Sequence, residues 1–113
     1  MKFKEVHPPR EFRVGLENQI KIKDCGSMYL DSDEQITFLT DDGKEYDVGR
    51  KDWGFYATPS VNGRLKSFGF KTALVKNSFG MYYVMLVDNK MISEFQDYLI
   101  EEKQSVVQWL DEN

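Results

Sequence analysis

The sequence predicts a mainly β (α+β) protein: a small β-barrel or β-sandwich of about eight strands with one C-terminal helix. Three observations predict this class. Apolar and polar residues alternate over short segments, which is typical of half-buried strands. Turn signals rich in Asp, Asn and Gly separate those segments. Helical spacing of apolar residues occurs in one place, near the C-terminus. Regular short strands favour a barrel or a sandwich, with the helix covering an end or a face.

Strand patterns extend over most of the chain. Residues 1–15 are predicted to form an extended N-terminal arm, because Pro8 and Pro9 favour β or polyproline geometry and exclude a helix. Gly43 ends the strongest hairpin signal, at residues 41–43, because glycine accepts the positive φ that such turns require. Another turn is predicted at residues 24–27. The predicted strands are residues 19–23, 28–30, 35–40, 44–48, 53–57, 65–76, 81–87 and 105–110.

Two C-terminal segments carry the clearest patterns. Residues 81–87 are nearly all apolar, and we expect a central strand that is buried on both faces. Further along, apolar side chains recur every three or four residues with acids on the other side, which predicts an amphipathic helix. Its apolar positions are Met91, Ile92, Phe95, Tyr98 and Leu99.

Length and composition predict a single domain over residues 1–113. A chain of this size with 41% hydrophobic residues can bury a core without metals or disulfides. Cys25 is the only cysteine, so an internal disulfide is excluded. The sequence contains neither the roughly 20 apolar residues of a membrane span nor a signal-peptide core. We therefore predict no membrane association and a cytoplasmic location.

Charge is distributed unevenly along the chain. Residues 50–76 carry six cations and one acid, a balance of +5, whereas the other residues carry nine cations and eighteen acids, a balance of −9. The net charge of −4 makes bulk attraction to nucleic acid or an anionic membrane unexpected. An anion would have to be attracted by residues 50–76, which also hold Trp53, Phe55, Tyr56, Phe68 and Phe70.

Catalytic and metal-binding signals are weak. His7 is the only histidine, and it lies in the proline-flanked arm, far in sequence from Cys25. These two residues give no metal-ligand spacing and no Cys/His or Ser/His/Asp constellation. Acids such as Asp41 and Asp42 lie in turns, where their side chains bond to the local backbone. The sequence therefore predicts no catalytic residue, no metal site and no cofactor, and it leans away from an enzyme.

Residues 53–64 combine the side chains from which sugar and nucleotide-sugar sites are built. Apolar sugar faces pack on aromatic rings, hydroxyl and amide side chains bond to sugar hydroxyls, and arginine binds a carboxylate or a phosphate through two hydrogen bonds. The alternative is that Trp53 and Phe55 fill the core and that Asn62 and Gly63 merely turn the chain. The candidate ligand-binding residues are Arg50, Lys51, Asn62, Arg64 and Lys66 as polar contacts, with Trp53 and Tyr56 as stacking contacts.

Residues 66–70 are superficially similar to the RNA-recognition and cold-shock signature, in which exposed rings on a strand stack on bases. The match is partial, because Ser67 stands where glycine is usual and Lys71 where an aliphatic residue is usual. The alternative is that Phe68 and Phe70 point into the core while the neighbouring lysines are solvated.

Most of residues 25–112 also resemble a group of other proteins. The string KDWGFYATPSVNGRLKSFGFKTALVKN, with the flanking YDVGRKDW and the closing VVQWLDE, resembles short uncharacterised bacterial proteins that are loosely associated with carbohydrate-modification gene neighbourhoods. The resemblance spans most of residues 25–112. It implies an accessory role in a sugar pathway, but no defined activity and no site residues.

Together these patterns favour a non-enzymatic binding or accessory module. Its cationic-aromatic face is expected to engage an anionic ligand: a nucleotide-sugar, an acidic glycan or an acidic protein surface. The alternatives are a small enzyme acting on an activated sugar and a single-stranded nucleic-acid-binding domain, of which nucleic acid is the less favoured partner. Because small β domains have to protect their edge strands, we also predict a symmetric homodimer.

Overall fold

The structure is a computed structural model that describes residues 1–112. The strands form three small antiparallel sheets, of order β1-β2, β3-β4-β5 and β7-β6-β8. The mainly β class is confirmed, but no closed barrel is found among residues 1–112. The elements are β1 (Lys2–Val14), β2 (Ile20–Tyr29), β3 (Gln35–Leu39), β4 (Glu45–Lys51), β5 (Gly54–Ala57), α1 (Arg64–Ser67), β6 (Phe70–Lys76), β7 (Tyr82–Asp88), α2 (Ile92–Glu101) and β8 (Ser105–Trp109).

The chain divides into two compact units. Unit 1 comprises Met1–Ile36 and Val48–Tyr56. Unit 2 comprises Thr37–Asp47 and the chain from Ala57 onward. The prediction of a single domain over residues 1–113 stays a prediction.

Unit 1 contains the hairpin of β1 and β2, paired antiparallel from Val14 opposite Ile20 to Lys2 opposite Tyr29. The N-terminal arm is therefore extended, as expected. The turn predicted at residues 24–27 is wrong, because this segment lies inside β2. Its glycine serves a close approach of the two strands: a Cβ on Gly26 would lie 2.5 Å from a backbone oxygen of β1.

Unit 2 contains the sheet β7-β6-β8, and α2 packs against it. Ala73, Val75 and Leu99 are buried together there. The central strand is β6, and β7 is an edge strand whose Tyr82, Tyr83 and Val84 are exposed. The prediction of a fully buried central strand at residues 81–87 is therefore wrong. An apolar run does not distinguish a central strand from an edge strand, because that position depends on which strands pair elsewhere in the chain. The partly buried residues packed on this core are Met85, Phe95, Val106 and Trp109.

The segment predicted as one strand over residues 65–76 has two parts. Its first part is the helical turn α1, which buries Leu65 completely. Gly69, at a φ of +91°, then redirects the chain, and β6 begins at Phe70. Helix α2 is present where the apolar periodicity predicted it, and it buries Leu99.

Candidate binding site

Aromatic rings lie exposed at the connection of β4 and β5. Asp52 and Trp53 form the turn between these strands. The Trp53 side chain is 72% exposed, and its ring centre lies 5.9 Å from that of Tyr56, which is also exposed. Phe55 is 63% exposed. Trp53 and Phe55 therefore do not fill the core, and the alternative interpretation of these two rings is wrong.

Arg50 lies against one of these rings, Phe55. Its guanidinium carbon is 5.4 Å from the ring centre of Phe55, a cation–π distance. One guanidinium nitrogen donates to the carbonyl oxygen of Gly54 at 3.4 Å, a long hydrogen bond that occupies one of the five donors of the group. We name Arg50, Trp53, Phe55 and Tyr56 the ring face. Phe55 was missing from the sequence-based candidates, and strand alternation gave no signal for it because its own short strand is exposed on both sides.

Lys51 points to an acid rather than to open solvent. Its Nζ lies 2.5 Å from a carboxylate oxygen of Asp33 in the turn before β3. The hydrogen bond and the charge of Asp33 raise the pKa of Lys51 above its usual value. Lys51 therefore stays charged, but its charge is locally offset.

The remaining candidates lie in unit 2. Asn62 is exposed on the loop before α1. Arg64 donates to the carboxylate of Asp47 at 3.2 Å, and Lys66 donates to the backbone oxygen of Asp111 at 3.2 Å. Both cations thus have partners within their own unit. Their role as ligand contacts stays a prediction.

Lys71, a further cation of the basic segment, is held by the C-terminal acids. Its Nζ lies 3.1 Å from a carboxylate oxygen of Asp111, 3.1 Å from one of Glu112, and 4.8 Å from the ring centre of Trp109. These hydrogen bonds raise the pKa of Lys71. The excess of +5 counted along residues 50–76 is therefore reduced by acids from distant positions, and Arg50 lies against the exposed Phe55 ring.

An open groove of about 540 Å³ runs between β7 and α2 within unit 2. Burial raises the pKa of Tyr98, and the nearby charge of Glu102 raises it further. Asp88 is ion-paired with Lys44, whose Nζ lies 2.5 Å away, and the hydrogen bond from Lys44 lowers the pKa of Asp88. The lining includes Met85, Val87, Met91, Phe95 and Tyr98 together with the carboxylates Asp88 and Glu94.

The structure also locates the residues that a catalytic site, a metal site or a nucleic-acid-binding strand would use. His7 and Cys25 are both exposed on the β1-β2 hairpin. Over residues 1–112, no three His, Cys, Asp or Glu side chains gather in a way that could hold a metal ion. Phe70 is 9% exposed and Phe68 is half-buried at the end of α1, so these rings do not form an open stacking surface on a strand.

The chain matches no protein-family model, no curated protein and no solved structure. In the described part of the chain, no helix combines the length and the apolar character that crossing a membrane requires.

Proposed function

We propose that this protein is a non-enzymatic binding module whose ring face takes an anionic ligand of the class of nucleotide-sugars, acidic glycans or acidic protein surfaces. The observation that carries the proposal is the cluster of exposed rings at the connection of β4 and β5: Trp53 pairs with Tyr56, and the guanidinium of Arg50 lies against Phe55. The proposal concerns binding, because the ring face is an open surface that offers rings and hydrogen-bond donors.

The exposure of the rings supports an apolar contact with a ligand. Tryptophan is among the residues that are strongly buried on average, so a ring left 72% exposed at a turn is unusual. Covering apolar surface stabilises a complex by about 25 cal/mol per Å². A sugar ring or a nucleobase laid on Trp53 would remove such area from water. The contact between Trp53 and Tyr56 restricts both rings and lowers the entropy lost on binding.

Arg50 supports the anionic part of the ligand. Its planar group carries five N–H donors in a fork that matches a carboxylate or a phosphate, and the bond to Gly54 uses one nitrogen at long distance. The Phe55 ring positions the guanidinium group. In the proposed complex the flat face of the ligand contacts Trp53 and its anionic group contacts Arg50. The sugar classes also agree with the accessory role that the resemblance of residues 25–112 implies.

A titration with defined probes tests the proposal. The probes are a UDP-hexuronate, an oligogalacturonate and a poly-aspartate peptide, with a neutral maltooligosaccharide for comparison. We expect saturable binding of at least one anionic probe, measured by calorimetry, and weaker binding at high salt. Trp53→Ala should raise Kd about tenfold or more, since loss of one stacking contact costs roughly 1–3 kcal/mol.

Phe79→Ala is the matched control. Phe79 is a similarly exposed aromatic residue, but it belongs to the turn between β6 and β7 in unit 2, whereas the ring face belongs to unit 1. The control should bind like the parent. The proposal fails if no anionic probe binds, or if Phe79→Ala weakens binding as much as Trp53→Ala does.

A further inference from the structure

We propose that the edge strand β7 pairs antiparallel with β7 of a second copy of this chain, giving a symmetric dimer in which two three-stranded sheets join edge to edge. Strand β7 has one neighbour in its sheet, β6, and its other side is an edge. The inference concerns another surface than the ring face and does not depend on the proposed binding function.

The hydrogen bonds of β7 show which of its backbone groups point toward β6 and which point to the open edge. Asn77 donates to the carbonyl oxygen of Met81 at 2.9 Å, and Asn89 donates to that of Gly69 at 2.9 Å. These bonds flank the two ends of the β6-β7 ladder. Hydrogen-bonded and non-hydrogen-bonded pairs alternate along an antiparallel ladder. The flanking bonds therefore determine which residues of β7 direct their backbone N–H and C=O groups toward β6.

By this alternation, Tyr83 and Met85 direct their backbone groups toward β6. The backbone N–H and C=O groups of Tyr82, Val84 and Leu86 point away from it, toward the open edge. Such a row of outward groups is a template for another strand.

The side chains at this edge are apolar and exposed. Val84 is 62% exposed, and Tyr82 and Tyr83, which lie on opposite faces of the sheet, are exposed as well. Residues 80–87 carry no charge. Natural edge strands are usually protected by charges, proline or bulges. Residues 82–87 of β7 contain no charge and no proline, and they pair with β6 without a bulge.

The opposite edge of the same sheet is different. The pairing of β6 with β8 shifts register between Leu74 and Val75, so that Val107 is an extra residue on β8. Such a bulge bends and twists a strand and disfavours continued pairing. Of the two edges of this sheet, β7 is therefore the one suited to another strand.

One register pairs the three outward residues with one another. With Val84 opposite Val84 of the second copy, on the twofold axis, Tyr82 lies opposite Leu86 and each outward residue has a partner. Asp88 then faces Gly80 of the second copy, so no carboxylates of the two copies meet across the strands. The pairing brings no like charges together and matches the same backbone groups on both copies, as a twofold interface requires.

The same partner would also cover the neighbouring groove. In this register Tyr83 of the second copy lies opposite Met85, which lines the groove between β7 and α2. A single partner would therefore pair with the open edge and also cover the apolar residues that line the groove beside it. A second copy provides both the backbone groups and the aromatic side chain.

The first test is the mass of the full chain in solution, measured by sedimentation equilibrium. We expect the mass of two chains for the parent and of one chain for Val84→Lys, because the substitution places two lysines directly opposite each other. Val107→Lys introduces the same charge at the other edge, where the side chain is 52% exposed, and should keep the mass of two chains. Circular dichroism checks that both variants are folded.

Two further variants keep the test decisive if Val84→Lys folds poorly. Mixing Val84→Lys with Val84→Glu should restore a mixed dimer that neither forms alone. Val84→Cys in a Cys25→Ser background should form a disulfide-linked dimer under mild oxidation, because facing Cα atoms of a hydrogen-bonded pair lie about 5.5 Å apart. Val107→Cys should not. A monomeric parent, a Val84→Lys variant that stays dimeric, or cross-linking through position 107 alone would overturn the inference.

Discussion

The buried carboxylate of Asp47 is held by Arg64, whose guanidinium donates to it at 3.2 Å. Asp47 is 2% exposed, and the hydroxyl of Thr37 donates to its other oxygen at 2.5 Å. The backbone oxygen of Asp47 accepts from the N–H of Thr58 at 3.0 Å. Arg64 also reaches the hydroxyl of Thr58 at 3.5 Å. This cation therefore joins the first half of β4 to the loop before α1, and the pair contributes to the stability of unit 2.

Arg64→Ala is expected to lower the free energy of unfolding by about 1–3 kcal/mol, because it leaves a buried carboxylate without its cation. The value is below that for fully buried pairs, since water reaches Arg64, whose side chain is 51% exposed. Denaturant unfolding measures the change. Arg13→Ala removes an exposed arginine from β1 and should shift stability by less than about 0.5 kcal/mol. Equal effects of the two substitutions would mean that the Asp47 pair contributes nothing.

Asp111 links stability to acid pH. Burial raises the pKa of this carboxyl, but the hydrogen bonds from the Thr72 N–H at 3.0 Å and from Lys71 at 3.1 Å outweigh burial, so the pKa lies below its usual 3.8. A depressed folded pKa stabilises the protein above the unfolded pKa. That stabilisation is lost as the pH falls below 3.8 and through the folded pKa.

We expect Asp111→Asn to be less stable than the parent at neutral pH and to lose less stability on acidification from about pH 6 to about pH 2. Urea unfolding at each pH measures the two curves. Asp41→Asn, at an exposed turn position, should follow the parent curve. Parallel curves for the parent and Asp111→Asn would contradict the assignment.

Lys71 makes the free energy of unfolding depend on pH in the alkaline range. Its hydrogen bonds to Asp111 and Glu112 raise its pKa above the usual 10.5. Its contribution is therefore complete below 10.5 and is lost as the pH rises through the folded pKa. Lys71→Met should flatten the alkaline part of the stability curve, measured by unfolding at successive pH values. The idea is wrong if the variant loses stability with pH as steeply as the parent does.

Gly69→Ala tests whether the turn between α1 and β6 requires a glycine. The φ of +91° is unfavourable for alanine, and its Cβ would lie 3.2 Å from the Nζ of Lys44. We expect a loss of about 1–3 kcal/mol in the free energy of unfolding. Gly80→Ala has a similar φ of +82° and no atom within 4 Å of the added Cβ, so it carries the backbone strain alone. A thermal melt in which Gly80→Ala is the more damaging substitution would contradict the contact with Lys44.

The ring face should contribute little to folding. Trp53→Ala and Tyr56→Ala remove exposed rings whose mutual contact is worth roughly 0.5–1.5 kcal/mol. Their thermal melts should therefore lie close to that of the parent. Early unfolding of either variant would mean that the rings are part of a core, and a loss of binding by that variant would then carry no information about a site.

The features that the sequence predicted correctly depend on neighbouring residues. The period of α2 and the turn at residues 41–43 are set by local spacing and by glycine chemistry. The features it missed depend on distant pairing. Gly26 was assigned to a turn because its neighbours in sequence are typical of one, whereas the strand that approaches it, β1, lies about 20 positions earlier in the chain.

The candidate site follows the same rule. A high local density of rings and cations singled out residues 50–76, and within that segment the structure pairs Trp53 with Tyr56 and Arg50 with Phe55. Sequence reasoning did not separate Arg50 from Lys51, because the pairing of Lys51 with Asp33 arises only when the turn before β3 meets the end of β4.

The indole N–H resonances of Trp53 and Trp109 provide the most direct test of the binding face. The chain contains these two tryptophans, one in the ring face and one packed on the core of unit 2. In a titration of the full chain with the anionic probes, followed by NMR, the Trp53 indole should shift saturably while the Trp109 indole stays in place. Resonances assigned through Trp53→Phe give the identity of each signal. A probe that binds but leaves the Trp53 indole unmoved, or that shifts Trp109 instead, would contradict the central claim.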